Sequence, residues 1–346
     1  MTENSYYGQE GHGPYELMDI GTLELEEGGS IANCQLAVAT HGTLNAEKNN
    51  AILVTTWYSG TSKIMGDVYI GSGRALDPDK YFIVVVNQIG DGLSTSPHNS
   101  EGAAFPKVRI GDDVRAQHKL LTETFAIESL ELVVGGSMGA QQTYEWAVRY
   151  PDMVKRAAPI AGTAKNTEHD FQFTQTLIEA ITTDPNFKDG HYKESAEVAE
   201  GLRRHAKLWT VMGWSTEFFR LNRHKELGFD SMQAFVDGFM TGYFAPMDPN
   251  NLLCMAWKWQ RGDVSRNADG DLAAALGRIT AKTFVMPISN DMFFPPSDCE
   301  VEQQLIPNSE IRVIDSIDGH LALFGTDPDC QAQIDIFLKE LLATAV

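Results

Sequence analysis

Positive charge, cysteine and long apolar runs are all scarce in this sequence. Lys and Arg total 27 against 47 Asp and Glu, so the formal net charge is −20. A surface this negative repels nucleic-acid phosphates and anionic lipids. No run of about 18 apolar residues occurs, as a membrane-spanning helix would need, and the N-terminal MTENSYYGQEGHGPYE lacks the pattern of a signal peptide. We therefore expect a cytoplasmic protein that binds neither nucleic acid nor membrane.

Metal-site and disulfide signatures are also missing. The four cysteines lie far apart with no CxxC pair, and the nine histidines form no HExxH motif. Such spacing disfavours a disulfide framework or a zinc site. We expect four free thiols, no metal and no resident cofactor.

Apolar runs alternate with helical patterns along most of the 346 residues. The strand-like runs are residues 34–40, 51–56, 81–87, 130–134, 156–160, 283–288 and 311–314. The helical patterns between or after them are residues 112–125, 138–150 and 331–342. This alternation predicts an α/β fold with a mostly parallel sheet that helices cover on both faces.

Residues 166–276 differ from the rest because they contain no strand-like run and are rich in aromatic residues and Met at helical intervals. We interpret this stretch as a helical lid inserted into a core of residues 1–165 and 277–346. Its apolar side chains are expected to form the lid's own core, and some of them to line a substrate pocket.

The strongest chemical signal is GGSMG at residues 135–139, a G-x-S-x-G motif between a strand-like run and a helical one. This is the setting of a nucleophile elbow, in which glycines permit a tight turn and the serine hydroxyl projects from the sheet. The following helix N-terminus favours a developing oxyanion. We predict that Ser137 is a nucleophile.

A serine nucleophile needs a base and an orienting carboxylate, which follow in the order Ser…Asp…His in this kind of fold. Asp291 follows a strand-like run, and His320 is the last histidine and follows a later one. We predict that Asp291 and His320 complete a triad with Ser137. The competing carboxylates are Asp298, Asp315 and Asp318.

Two backbone amides are candidates for an oxyanion hole. One is the N–H of Met138, directly after the nucleophile, and the other lies in the loop after the run at residues 51–56. In that loop we favour the N–H of Tyr58, with Trp57 as the alternative.

From about residue 36 to 325 the chain resembles the homoserine O-acetyltransferase family of α/β-hydrolase-fold enzymes. The markers are GTLN at 42–45, IGSG at 70–73, DPDKYF at 77–82, FP at 105–106, VRAQ at 114–117, GGSMGAQQTYEWAVRYPDMV at 135–154, DPNF at 184–187, FPP at 294–296 and GH at 319–320. The resemblance implies an α/β-hydrolase fold, the triad above, a helical lid and a homodimer built through that lid. It also implies transfer of acetyl from acetyl-CoA through serine to an alcohol. Trp57 and Arg115 are further candidate substrate-binding residues.

Two positions depart from that family. The Asp that usually follows the catalytic His, and holds the substrate ammonium, is Leu321 in this chain. The lid Arg that would pair with the substrate carboxylate aligns with Ile178. An amino acid held between these two side chains would be desolvated and unpaired, at a cost of several kcal/mol. The departures therefore disfavour homoserine as the acceptor.

Three functions remain, and the first two act on a small-molecule acyl substrate. The favoured one is a serine hydrolase of small carboxylic esters or related acyl compounds, and the alternative is an O-acyltransferase with acetyl-CoA as co-substrate. Water and alcohol would compete for one acyl-enzyme, so exclusion of water by the lid would decide between these two. The third is a fold kept for binding or assembly without turnover, which the complete set of nucleophile, base and acid disfavours.

Overall fold

A computed structural model describes residues 4–346, whose strands form one large sheet and one small one. The strands are β1 (Glu16–Asp19), β2 (Leu23–Glu24), β3 (Ser30–Ile31), β4 (Gln35–His41), β5 (Ala51–Thr55), β6 (Phe82–Val86), β7 (Leu132–Gly136), β8 (Arg156–Ile160), β9 (Lys282–Val285) and β10 (Ser309–Ile311). The large sheet has the order β1-β4-β6-β5-β7-β8-β9-β10, and β2 pairs with β3. Strands β5 to β10 are mutually parallel, whereas β1 and β4 are antiparallel to their neighbours.

Helices follow most of the strands. They are α1 (Gln9–His12), α2 (Ser62–Tyr69), α3 (Ile110–Lys119), α4 (Met138–Arg149), α5 (Glu168–Thr182), α6 (Ala199–Gly213), α7 (Thr216–Arg220), α8 (Met232–Phe235), α9 (Gly242–Phe244), α10 (Pro249–Gln260), α11 (Leu272–Leu276), α12 (Pro296–Gln303) and α13 (Pro328–Leu342). Together with the sheet they form the predicted α/β-hydrolase architecture.

The core lies on both faces of the sheet because successive strand side chains point to opposite sides. In β5, Leu53 packs into a cluster shared with α3 and α4, whereas Ile52 and Val54 pack into a second cluster with α2 and α13. Every residue of β5, β6 and β7 is buried. This burial explains their continuous apolar sequences.

Two predicted strands differ from the observed ones at the far edge of the sheet. The expected run at residues 283–288 pairs continuously only through Val285, and the expected run at 311–314 is a strand at Ser309–Ile311. Beyond them, Ile288 and Ile314 form an isolated bridge. Pro287 provides the reason, since it has no N–H to donate to a ladder and only its carbonyl accepts, from the amide of Ile314.

Helices and turns fill the chain between β8 and β9. Helix α5 packs on both α6 and α10, whereas α11 packs on α4 of the sheet's own covering layer. Lys165 and Asp263 form an isolated antiparallel bridge that joins the start of this stretch to the turn after α10. A lid at residues 166–276 remains a prediction. Among residues 4–346, no helix is long and apolar enough to cross a bilayer.

Candidate active site

The turn between β7 and α4 holds Ser137 in a strained conformation, with φ 56° and ψ −123°. The two outer glycines of the motif are required by close contacts with β5. A Cβ on Gly135 would lie 2.1 Å from the hydroxyl of Thr55, and one on Gly139 would lie 2.6 Å from the Thr55 carbonyl oxygen. The tight turn expected from GGSMG is therefore present. It sets Ser137 at the carboxyl end of β7, directly before the N-terminus of α4.

Loops after two other strands bring His320 and Asp291 to this serine. His320 Nε2 lies 2.9 Å from Ser137 Oγ, and His320 Nδ1 lies 2.7 Å from Asp291 Oδ2. The other carboxylate oxygen of Asp291 accepts hydrogen bonds from the amides of Phe293 and Phe294, at 2.8 and 3.1 Å. A carboxylate can only accept, so His320 donates from Nδ1 and its Nε2 is free to accept the Ser137 proton.

Packing reinforces these hydrogen bonds. Phe293 presents an edge to the His320 ring at a centroid distance of 5.0 Å, and Phe294 lies against it at 5.6 Å. Ser137, His320 and Asp291 are each at most 4% exposed. Their mutual attraction is therefore little screened by solvent.

The competing carboxylates point elsewhere. Asp315 accepts from the Ser289 hydroxyl, and Asp318 binds the guanidinium of Arg223 and the hydroxyl of Thr326. Asp298 lies in the first turn of α12 and faces Ser297. Only Asp291 among these four is bonded to His320.

The loop after β5 reaches the same site. The amides of Trp57, Tyr58 and Met138 donate no hydrogen bond to any residue that the structure describes. The Tyr58 ring is anchored between two helices of the 166–276 stretch, its hydroxyl lying 3.0 Å from both His205 Nε2 and the Leu252 carbonyl. Burial lowers the pKa of His205 to about 3, so this histidine is neutral. Packing in that stretch thereby fixes the loop that carries the candidate oxyanion donors.

An apolar pocket opens beside the serine hydroxyl, with about 430 Å³ of empty space including its mouth. It is lined by Trp57, Tyr58, Ser59, Ser137, Trp209, Phe239, Met240, Tyr243, Phe244, His320, Leu321, Leu323 and Phe324. This lining contains no Asp, Glu, Lys or Arg side chain. It suits an uncharged substrate, because a buried charge without a partner is costly.

The structure brings seven of the nine predicted site residues together. Ser137, His320, Trp57, Tyr58 and Leu321 line the pocket, and Asp291 and Met138 lie directly behind its serine and histidine.

Arg115 is the clearest correction, because it lies on α3 and binds the carboxylate of Asp112 and the carbonyl of Glu24 instead of facing the pocket. Ile178 is a second correction, since it lies on α5, packs against the main core and does not line this pocket. Ile178 came from alignment to a family whose charged substrate this pocket does not match.

Several pocket residues were not predicted individually. They are Trp209, Phe239, Met240, Tyr243, Phe244, Leu323 and Phe324. The first five belong to the aromatic stretch at 166–276, where periodicity indicates buried helices without showing which side chains reach the serine. Leu323 and Phe324 lie in the same short helical segment as His320, Gly319–Phe324. Proximity to the predicted base is a signal that could have identified them.

Comparisons with known proteins agree with this geometry. A family model described as alpha/beta hydrolase fold matches residues 52–326. The chain is 70% identical over 345 residues to the ethyl acetate hydrolase of Pseudomonas veronii, covering 99% of each. It superposes on an acetylester hydrolase from Corynebacterium glutamicum with a TM-score of 0.98 and 59% identity, covering 99% of this chain and 100% of the other.

Homoserine O-acetyltransferases are more distant relatives. The enzyme of that name from Thermobifida fusca is 32% identical over 353 residues, covering 93% of this chain and 91% of its own. The resemblance found in the sequence is therefore confirmed at the level of the fold family. At the finer level, much higher identity is shared with proteins named as ester hydrolases.

Proposed function

The chain belongs to the α/β-hydrolase family and is an enzyme of the serine hydrolase kind, and from this premise we propose that it hydrolyses short acetate esters of small alcohols. The observation that carries the proposal is His320 bonded at once to Ser137 and Asp291, at the wall of a pocket without charged side chains. The names of the 70% and 59% identical relatives support acetate as the acyl group.

The proposed reaction passes through an acyl-enzyme. Ser137 Oγ attacks the ester carbonyl while His320 Nε2 takes its proton, and the tetrahedral oxyanion is bound by the amides of Met138 and Tyr58. His320 then gives the proton to the departing alcohol. Water enters, loses a proton to the same nitrogen and attacks the acetyl carbon. The bond from that carbon to Ser137 Oγ then breaks, His320 Nε2 returns the proton to Oγ, and acetic acid is released and ionises. Asp291 orients His320 throughout and stabilises its cationic form.

The pocket disfavours homoserine as the acceptor. Leu321 is 3% exposed and packs over Gly213 of α6, where an added Cβ would lie 2.8 Å from its side chain. The pocket wall at this position is therefore apolar and tightly packed. An amino acid's ammonium would lose its hydration there without gaining a counter-charge.

Two assays on the purified protein test the proposal. Acid release from ethyl acetate should be measured at constant pH, with Ser137→Ala as the blank, which we expect to lose at least about 10⁴-fold in kcat. Thiol release from acetyl-CoA should be measured in parallel, with and without homoserine. We expect rapid ester hydrolysis and no homoserine-dependent thiol release. Homoserine-dependent release by the wild type would instead establish the acyltransferase, and ester turnover by Ser137→Ala would remove the serine from the mechanism.

A further inference from the structure

Behind the candidate oxyanion loop lies a chain of buried amide side chains that the mechanism above does not use. Gln142 Nε2, on α4, donates to the Thr56 carbonyl at 2.9 Å. Gln88 Nε2, just after β6, donates to the same carbonyl at 2.8 Å and to the Trp57 carbonyl at 3.2 Å. Both glutamine side chains are fully buried. Three donor contacts thus converge on two consecutive carbonyls of the six-residue loop 56–61.

The chain continues away from the loop into the layer formed by α3 and α4. Trp146 Nε1 donates to Gln117 Oε1 at 2.7 Å, and Gln117 Nε2 donates to Gln142 Oε1 at 2.6 Å. An indole N–H can only donate, so it fixes the oxygen of Gln117 toward itself. That choice turns the nitrogen of Gln117 toward Gln142, and in turn the nitrogen of Gln142 toward Thr56. The hydrogen-bond direction is therefore set at Trp146 and ends at the loop.

This direction decides where the loop's N–H groups point. In a trans peptide the carbonyl and the following N–H point in opposite directions. A Thr56 carbonyl held by Gln142 and Gln88 therefore aims the Trp57 N–H away from them, and a Trp57 carbonyl held by Gln88 does the same for the Tyr58 N–H. Those amides have no partner among the described residues, and the loop lines the pocket beside Ser137.

Hydrogen bonding to a carbonyl also strengthens the donor at the other end of the same peptide, because chains of hydrogen bonds polarise one another in a low-dielectric interior. We propose that Gln142, oriented through Gln117 and Trp146, and Gln88, which binds the loop directly, are positioning residues that aim and polarise the oxyanion-hole amides of the loop after β5. They do not touch substrate. The proposal rests on the acyl-enzyme function proposed above.

The decisive variants change donors and leave side-chain volume nearly unchanged. Gln142→Met and Gln88→Met each remove a donor from the loop. Gln117→Glu in its ionised form, at a pH above the pKa of the new carboxyl, can still accept from Trp146 but cannot donate to Gln142. It therefore acts on the loop only through the chain of amides. Gln141→Met is the matched control, because Gln141 is the neighbouring buried amide on α4 and donates to Asn166 at 2.6 Å instead of to the loop.

Two readouts separate positioning from general destabilisation. One is the split between kcat and KM for ethyl acetate. The other is the second-order rate constant for labelling of Ser137 by a fluorophosphonate, whose addition places negative charge in the same amide site. We expect Gln142→Met and Gln88→Met to lower kcat and the labelling rate by a similar factor, about 10- to 100-fold, somewhat less than removal of an oxyanion donor itself. KM should stay within about 3-fold, and Gln117→Glu should lower both rates in the same direction.

Each outcome is informative. Labelling rates of all three variants within about 3-fold of wild type, or equal losses in Gln141→Met, would overturn the proposal. Should Gln117→Glu fail to fold, the two Met variants still decide it. Failure of the wild type to hydrolyse ethyl acetate would refute the proposed substrate, but the labelling comparison does not depend on the substrate and would still test the positioning role.

Discussion

The two walls of the pocket are built on different principles. On one side, Ser137 and His320 are fixed by directional hydrogen bonds in the connections that follow parallel strands. On the other, residues of the 166–276 stretch such as Trp209 and Phe244 are held by ring packing, with centroids 5.9 Å apart. Hydrogen bonds specify one geometry, whereas apolar packing tolerates exchange of similar volumes. The comparison indicates that the strand ends fix the chemistry and the packed helices fix what fits.

The largest effect, on kcat, is expected when the hydrogen bond between Asp291 and His320 is disrupted. In Asp291→Asn the amide nitrogen can face His320 Nδ1 and favour the wrong tautomer, so kcat for ethyl acetate should fall by about 10⁴-fold while the fold is retained. Steady-state kinetics and circular dichroism on the same sample measure both.

Asp315→Asn is the matched control, since Asp315 lies on the same connection as His320 but bonds to Ser289. We expect its kcat within about 3-fold of wild type. Near-normal activity of Asp291→Asn would show that another group orients the histidine.

An intermediate effect, on acyl-chain preference, is expected when an aromatic side chain of the pocket wall is shortened. Phe239 is partly buried and lines the pocket, so Phe239→Ala should make room for a longer acyl chain. We expect the ratio of kcat/KM for ethyl butyrate to that for ethyl acetate to rise about 10-fold, since a methylene in an apolar pocket is worth roughly 1–3 kcal/mol. Initial rates on the two esters give the ratio.

Phe229→Ala controls for general loosening. Phe229 packs edge-on against Phe239 at 6.3 Å but does not line the pocket. Its ester preference should stay that of the wild type. An equal shift in both variants would mean that helix packing, and not the pocket wall, limits the acyl chain.

The smallest expected effect is on the pH dependence of stability, and it arises where the 166–276 stretch meets the helices that cover the sheet. The carboxylate of Asp91 is buried in the loop after β6, near the ion pair between Lys258 of α10 and Asp113 of α3. Burial raises the pKa of Asp91 to about 7, despite hydrogen bonding from the Leu93 amide and the nearby Lys258. The folded state therefore holds this proton longer than the unfolded state as the pH rises.

The raised pKa of Asp91 sets the direction in which stability changes with pH. The unfolded carboxyl ionises near pH 4 and the folded one near pH 7, so the free energy of unfolding should decline over that interval. Asp91→Asn should remove this decline and be more stable than wild type at pH 8 by roughly 1–3 kcal/mol, with little gain at pH 4. Urea unfolding at both pH values measures it.

Asp230→Asn, at an exposed position, is the control, and its stability relative to wild type should not change with pH in this way. A gain in Asp91→Asn at pH 4 equal to that at pH 8 would refute the account.

The sequence was most informative where local rules apply. The buried strands at Ala51–Thr55 and Phe82–Val86 were predictable because short continuous apolar runs between turns are typical of strands buried on both faces of a sheet. The elbow at Ser137 was predictable because only glycine tolerates the contacts beside it. The order Ser…Asp…His then restricted the partners to a few residues.

Only the tertiary structure decided which side chains meet. Asp291 and Asp315 both follow strands, and the choice between them depends on side-chain direction across three loops. Arg115 was predicted to bind substrate, but its guanidinium is held by its own helix and by β2.

The aromatic wall and the glutamine chain were hidden from the sequence for the same reason. Helical periodicity shows that a side chain is buried without showing what it faces. Gln117 and Gln142 are 25 residues apart in the sequence, and they meet only because α3 packs on α4. The sequence therefore determined the reaction's nucleophile and the sheet that carries it, because both follow from local backbone sterics. The pocket's shape and the aim of its amides were set by long-range packing.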